Sequence, residues 1–139
     1  DGNAIMLRLI VLSGLPGSGK STVADLFRFP GSVILRRDDM RRDGESESKL
    51  SMRMLLEAYE ELLKGNSVII DSPNLLASDR HYWEAVGLVT RAMFTWIVVE
   101  TPVDVCIERD ASREKSIGAT KILEMQKEYY ENRPQTTVT

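Results

Sequence analysis

The sequence predicts an α/β fold, a small and mainly parallel sheet flanked by helices. Four short apolar runs, residues 7–12, 32–35, 67–71 and 93–99, alternate with segments whose apolar residues recur at helical spacing. The runs are continuous rather than polar at every second position, as strands covered on both faces are. The first run leads into Gly14-Leu15-Pro16-Gly17-Ser18-Gly19-Lys20-Ser21, an unbroken G-x-x-x-x-G-K-S lying between a strand and a helix.

After the strand at 7–12, residues 20–29 read as the first helix, stopped by Pro30-Gly31. Residues 32–35 make a short second strand whose end carries Arg36-Arg37-Asp38-Asp39-Met40-Arg41-Arg42. Between 47 and 64, Leu50, Met54, Leu55, Ala58, Tyr59 and Leu62 recur at helical spacing, and Gly65-Asn66 supplies the stop. Residues 67–71 form a third strand that ends in an acid, Asp71. A helix over 79–88 turns Trp83 and Val86 inward. The fourth strand, 93–99, is rich in the bulky and β-branched side chains that strands favour. Residues 104–113 and 121–131 are helical, the second with Ile122, Leu123, Met125, Gln126 and Tyr129 at helical spacing. With no repeat or linker, residues 6–133 read as one domain. Residues 1–5 are set apart as an expression remnant, and 134–139 as a frayed tail.

Composition excludes several classes. With 139 residues the chain can bury one real core. Its net charge of −3 argues against a broad basic surface that coats nucleic acid, though not against an enzyme that grips a few phosphates locally. The single cysteine, Cys106, allows no internal disulfide framework; it suits a reducing cytosol and reads as buried packing. No apolar run reaches the ~20 residues of a membrane span, and no signal peptide is visible, so a cytoplasmic location is expected. No Cys/His cluster suggests zinc, and the lone His81 reads as an ordinary surface or half-packed residue.

The chemistry sits where strands end. In parallel sheets ligands bind beyond the carboxyl ends of the strands, and three polar features lie there: the glycine-rich loop, the Arg/Asp cluster and Asp71. In the loop, backbone N–H groups of Gly14, Gly17, Ser18 and Gly19 converge with the helix N-terminus on an anion. Lys20 would reach the β- and γ-phosphates of a nucleoside triphosphate, and the Ser21 hydroxyl would ligate Mg²⁺. ATP and Mg²⁺ are therefore the expected donor and metal. Asp71 would hold Mg²⁺ through water or orient a second group; a turn or helix-cap role is its alternative. Asp38 sits where an acceptor hydroxyl would approach the γ-phosphate and could accept its proton. Asp39 competes for that role, but Asp38 directly follows Arg37 and precedes Arg41 by three.

Gly14-Leu15-Pro16-Gly17-Ser18-Gly19-Lys20-Ser21-Thr22, then Arg37-Asp38-Asp39-Met40-Arg41, then Asp71-Ser72-Pro73-Asn74-Leu75 together resemble the kinase domain of phage-type polynucleotide 5′-kinases. The likeness continues through Arg80, Trp83 and Arg109-Asp110-Ala111-Ser112-Arg113. It implies a P-loop NTPase kinase fold with an arginine-bearing lid. It implies Pro16 and Thr22 in the nucleotide loop, Asp38 as general base for a 5′-hydroxyl, and Arg41 on the phosphate 3′ of the acceptor nucleotide. Asp71 would support Arg41, while Arg109 and Arg113 would form a lid pair, with Arg113 on the donor phosphates during transfer. The implied partner is a nucleic acid end or nucleotide-like acceptor, and the implied location is the cytoplasm of a host cell if the chain is phage-encoded. Two departures stand out: Met40 replaces an aromatic residue, and the lid continues as Glu114-Lys115-Ser116. The family's phosphatase module has no counterpart here, so kinase activity alone is expected. A hydroxymethylated DNA base or a small metabolite is the alternative acceptor, and an ATP-dependent binding switch the alternative class.

Overall fold

A computed structural model describes residues 6–132; the expected remnant at 1–5 and the expected frayed tail at 134–139 lie outside the described residues. In chain order the elements are β1 (Arg8–Ser13), α1 (Lys20–Leu26), β2 (Ser32–Arg36), α2 (Arg37–Met40) and α3 (Glu47–Leu63). Then come β3 (Ser67–Asp71), α4 (Ala77–Thr90), β4 (Met93–Val98), α5 (Val103–Ala111) and α6 (Ala119–Asn132). The four strands pair in parallel in the order β2-β3-β1-β4. The α/β architecture read from the apolar runs is the one observed.

Alternation along β1 explains both layers. Leu9 and Val11 enter one core with Leu50 and Met54 of α3, Val68 and Ile70 of β3, and Trp83 of α4. Ile10 and Leu12 enter a second core with Ala24 of α1 and Ile69 of β3. Each Leu, Ile, Val or Met side chain among them contributes about 1.5–3 kcal/mol when fully buried. A third cluster of Leu15, Leu75, Cys106 and Ile122 holds α5 and α6 against the loop after β1.

Local signals set the helix ends. The Ser46 hydroxyl accepts the Lys49 N–H at 3.2 Å and starts α3. Gly65, at φ 94°, turns the chain just past its last residue. The expected helix over 79–88 is longer, Ala77–Thr90, because the Asp79 carboxylate accepts the Leu76 N–H at 3.0 Å and extends the first turn.

The Arg/Asp cluster starts at Arg36, the last residue of β2, and continues as the short helix α2, which turns the chain toward α3. Two expectations change. The helix expected over 104–113 ends at Ala111, which places Arg113 in the turn between α5 and α6. Cover on both faces fails at β4, an edge strand whose Met93 and Thr95 are exposed. The helix read over 121–131 is observed within α6, with Ile122 fully buried and Leu123 47% exposed. Among the described residues no helix is long and apolar enough to cross a membrane.

Connections from β1 and β3 leave toward opposite ends of the sheet. Their adjacent carboxyl ends form the crevice that this topology reserves for ligands.

Candidate active site

The glycine-rich loop leaves β1 at Gly14 and closes onto the start of α1. Gly17 and Gly19 adopt φ of 81° and 103°, which an L side chain resists. Gly17 is constrained twice, since a Cβ there would lie 2.5 Å from the Cys106 carbonyl oxygen. Backbone of α5 is therefore pressed against the loop. Two side chains hold the contact: Arg109 Nη1 donates to the Gly17 carbonyl at 3.3 Å, and the Thr101 hydroxyl to the Ser18 carbonyl at 2.6 Å. Pro16 is half-buried and Thr22 exposed beside them.

Lys20 is 8% exposed, and its Nζ donates to the Leu15 carbonyl at 2.9 Å. Burial lowers its pKa to about 8, against the pull of the Asp71 and Asp38 carboxylates. The Ser18 hydroxyl, in the same loop, is buried and has no hydrogen-bond partner. An orphaned donor, a desolvated ammonium and a helix N-terminus at one place are what an anion's oxygens satisfy.

Strand register builds the second part of the site. Asp71 is aligned with Leu12 of β1 on one side and Arg36 of β2 on the other. The Ser21 hydroxyl donates to Asp71 Oδ2 at 2.8 Å, and Arg36 Nη1 donates to the same oxygen at 2.8 Å. Arg36 Nη2 reaches Asp25 Oδ1 at 2.6 Å. The expected support of Arg41 by Asp71 is not what the geometry holds. Arg41 Nη1 donates to Glu47, whose carboxyl that bond holds below its usual range, and Arg41 Nη2 lies 4.0 Å from Asp38. The reason is local: Arg36 is the register partner of Asp71, whereas α2 carries Arg41 away to the N-terminus of α3.

The third part faces the loop from the far side. Arg113 Nη2 lies 3.5 Å from Asp38 Oδ2, with both side chains substantially exposed. The geometry thus brings Asp38 and Arg113 together across the cleft; for Asp39 the structure shows no corresponding contact with Arg113. Beside the loop a cavity of about 460 Å³ opens, lined by Gly14, Leu15, Val99, Thr101, Gln126 and Tyr129 among others.

Arg36, Thr101 and Asp110 were not singled out from sequence for the contacts they make. Arg36 had a signal, since it ends a strand next to one that ends in an acid. Asn74 had another: at φ 47° it is buried, donates to the Leu12 carbonyl at 2.6 Å and accepts the Trp83 indole N–H at 3.1 Å. It ties the end of β3 to β1 and α4. His81 is exposed, as read from sequence.

Residues 9–132 match the family described as an AAA domain, AAA_33. The chain belongs to that family. This AAA domain is of the P-loop kinase kind, with kinases among its relatives. A dephospho-CoA kinase from Corynebacterium efficiens is 32% identical over 96 residues, 69% of this chain and 48% of that protein. A chain in the structure of the Pnkp1/Rnl/Hen1 RNA repair complex superposes with TM-score 0.71 at 25% identity, over 94% of this chain and 46% of that one. The Mycobacterium tuberculosis APS kinase CysC, in complex with AMPPNP and APS, superposes with TM-score 0.64 at 25% identity, over 78% and 71% of the two chains. The AAA domain described here spans about half the length of the first two.

Proposed function

We propose that this chain transfers the γ-phosphoryl group of ATP to a hydroxyl of a nucleic acid, the 5′-OH end of DNA or RNA, in the manner of phage-type polynucleotide 5′-kinases. In this reading residues 6–133 are its single kinase domain, working in the cytoplasm. The observation that carries it is the Asp38–Arg113 pair at 3.5 Å, facing the loop that holds Lys20. The likeness to a chain of an RNA repair complex over 94% of this chain supports the acceptor.

The residues fit the donor. The loop from Gly14 through Thr22, with its orphaned Ser18 hydroxyl and desolvated Lys20, receives the phosphates. The Arg109 and Arg113 guanidiniums close over them. Mg²⁺ would be held by Ser21, with Asp71 hydrogen-bonded to that hydroxyl, and would neutralise phosphate charge during transfer. The rest is the work of side chains. Asp38 accepts the acceptor's hydroxyl proton as that oxygen bonds to the γ-phosphorus. The bond from phosphorus to the β–γ bridging oxygen breaks, and ADP leaves. Arg113 moves from Asp38 onto the transferring group and stabilises its charge, which pairing with the base delays until donor and acceptor compete for both. Arg41 contacts the phosphate 3′ of the acceptor nucleotide.

A second reading keeps this chemistry and changes the acceptor to a small molecule. It is favoured by the 32% identity to a dephospho-CoA kinase and by the likeness to an APS kinase. Transfer of labelled γ-phosphate across 5′-OH DNA, 5′-OH RNA, hydroxymethylated DNA, nucleosides and sugars separates the two. Oligonucleotides labelled at the 5′ end are expected; label on small molecules alone would put the second reading in place of the first.

A further inference from the structure

Asp110 is the one fully buried carboxylate among the described residues that the transfer chemistry above does not use, at 1% exposure near the end of α5. Its oxygens accept three hydrogen bonds from the turn that follows. Ser116 Oγ donates at 2.7 Å, the Ile117 N–H at 3.1 Å and the Gly118 N–H at 3.0 Å. Arg113 lies inside the loop so closed. Its backbone N–H donates to the Asp110 carbonyl at 3.0 Å, and its Nη1 is 3.8 Å from the Asp110 carboxylate while Nη2 points to Asp38.

We infer that Asp110 is the positioning residue for Arg113: it clamps the 112–118 turn so that the guanidinium is presented to the cleft. The inference rests on the reading of Arg113 as the group that meets the transferring phosphoryl. Burial alone would push this carboxyl up, but the bonds from Ser116, Gly118 and Ile117, with the Arg113 charge, outweigh it and leave it below its usual range. The clamp is thus a carboxylate at neutral pH, an acceptor toward every donor around it. An amide in its place would turn one acceptor into a donor facing donors.

The test needs no acceptor substrate. Hydrolysis of γ-labelled ATP in water is measured for the parent, Asp110→Asn, Arg113→Ala and the double variant, beside amide hydrogen exchange at Ile117 and Gly118. In Asp110→Asn both amides should exchange faster, and kcat should fall roughly tenfold with KM for ATP within about threefold. In the Arg113→Ala background the same substitution should cost less than about twofold, because the group it positions is gone. Equal losses in both backgrounds, an unchanged kcat or unchanged exchange would each overturn the inference while leaving the reading of Arg113 in place. An Arg113→Ala protein as fast as the parent would overturn both. If Asp110→Asn does not fold, Ser116→Ala removes one donor from an exposed position and should show the same dependence on Arg113, with a loss of about threefold.

Discussion

The sheet with α3 and α4 and the arm made of α5 and α6 are held by different means. The first buries ten residues in one continuous apolar core, among them Leu9, Val11, Met54, Val68, Ile70 and Trp83. The second has four, Leu15, Leu75, Cys106 and Ile122, and adds polar clamps: Asp110 to its turn, Arg109 to Gly17, Thr101 to Ser18. Apolar burial is non-directional and holds a sheet rigid; hydrogen bonds to loop backbone fix geometry at little net stability. The cleft lies between the two, with Asp38 on the first region and Arg113 on the second. Substitutions on the sheet side should therefore move stability, and those at the cleft should move rate.

The largest effect expected is on rate. Asp38→Asn should lower turnover about 10²–10⁴-fold while leaving the unfolding midpoint where it was, since the side chain is exposed and its removal uncovers no core. Steady-state kinetics beside a thermal melt check this, and a crippled Asp39→Asn with an active Asp38→Asn would move the base by one residue. Next comes Ile70→Ala in β3, fully buried, which should cost about 2–5 kcal/mol of stability in denaturant unfolding. Its turnover, corrected for the folded fraction, should stay within about threefold of the parent if the comparison holds.

Lys20 stands in both columns and sharpens the contrast. Its folded pKa of about 8 lies below the ordinary 10.5, so the native state binds fewer protons than the unfolded chain between those values. Below about pH 8 the fold carries the full cost of a buried ammonium, on the order of 3 kcal/mol; the cost fades as pH rises and is gone above about 10.5. Lys20→Met should thus lose phosphoryl transfer yet unfold at higher denaturant than the parent at pH 7, with the advantage vanishing near pH 10.5. A variant no more stable than the parent at pH 7 would show that the fold does not lower the Lys20 pKa.

Much of this was legible in the residues. The continuous runs around Ile10, Ile34, Ile69 and Trp96 determined the strands, because hydrophobic periodicity is a local property. The loop was legible because Gly17 and Gly19 answer to backbone conformation, which neighbours in sequence decide. Pairing across the sheet was not. That Asp71 meets Arg36 and leaves Arg41 to Glu47 depends on strand order and register, and a four-residue helix at Arg37–Met40 redirects a cluster that reads as a strand end. Asp110 was hidden for a similar reason: nothing near it in sequence says that Ser116 through Gly118 will fold back onto its carboxylate.

The place of β1 in the sheet has a consequence for how the chain assembles. It precedes the other three strands of the sheet, yet Leu9 pairs with Val68 on one side and Phe94 on the other, while β2, its nearest neighbour in sequence, is not its sheet partner. Contacts of such separation are slow to close, because the intervening chain must be brought home before any bond repays it. A nascent chain therefore carries an apolar strand with both edges open until β3 has emerged, and with one edge open until residue 98 has. Premature stops between β3 and β4 would leave Arg8–Ser13 with one bare edge, a surface that pairs readily with another copy.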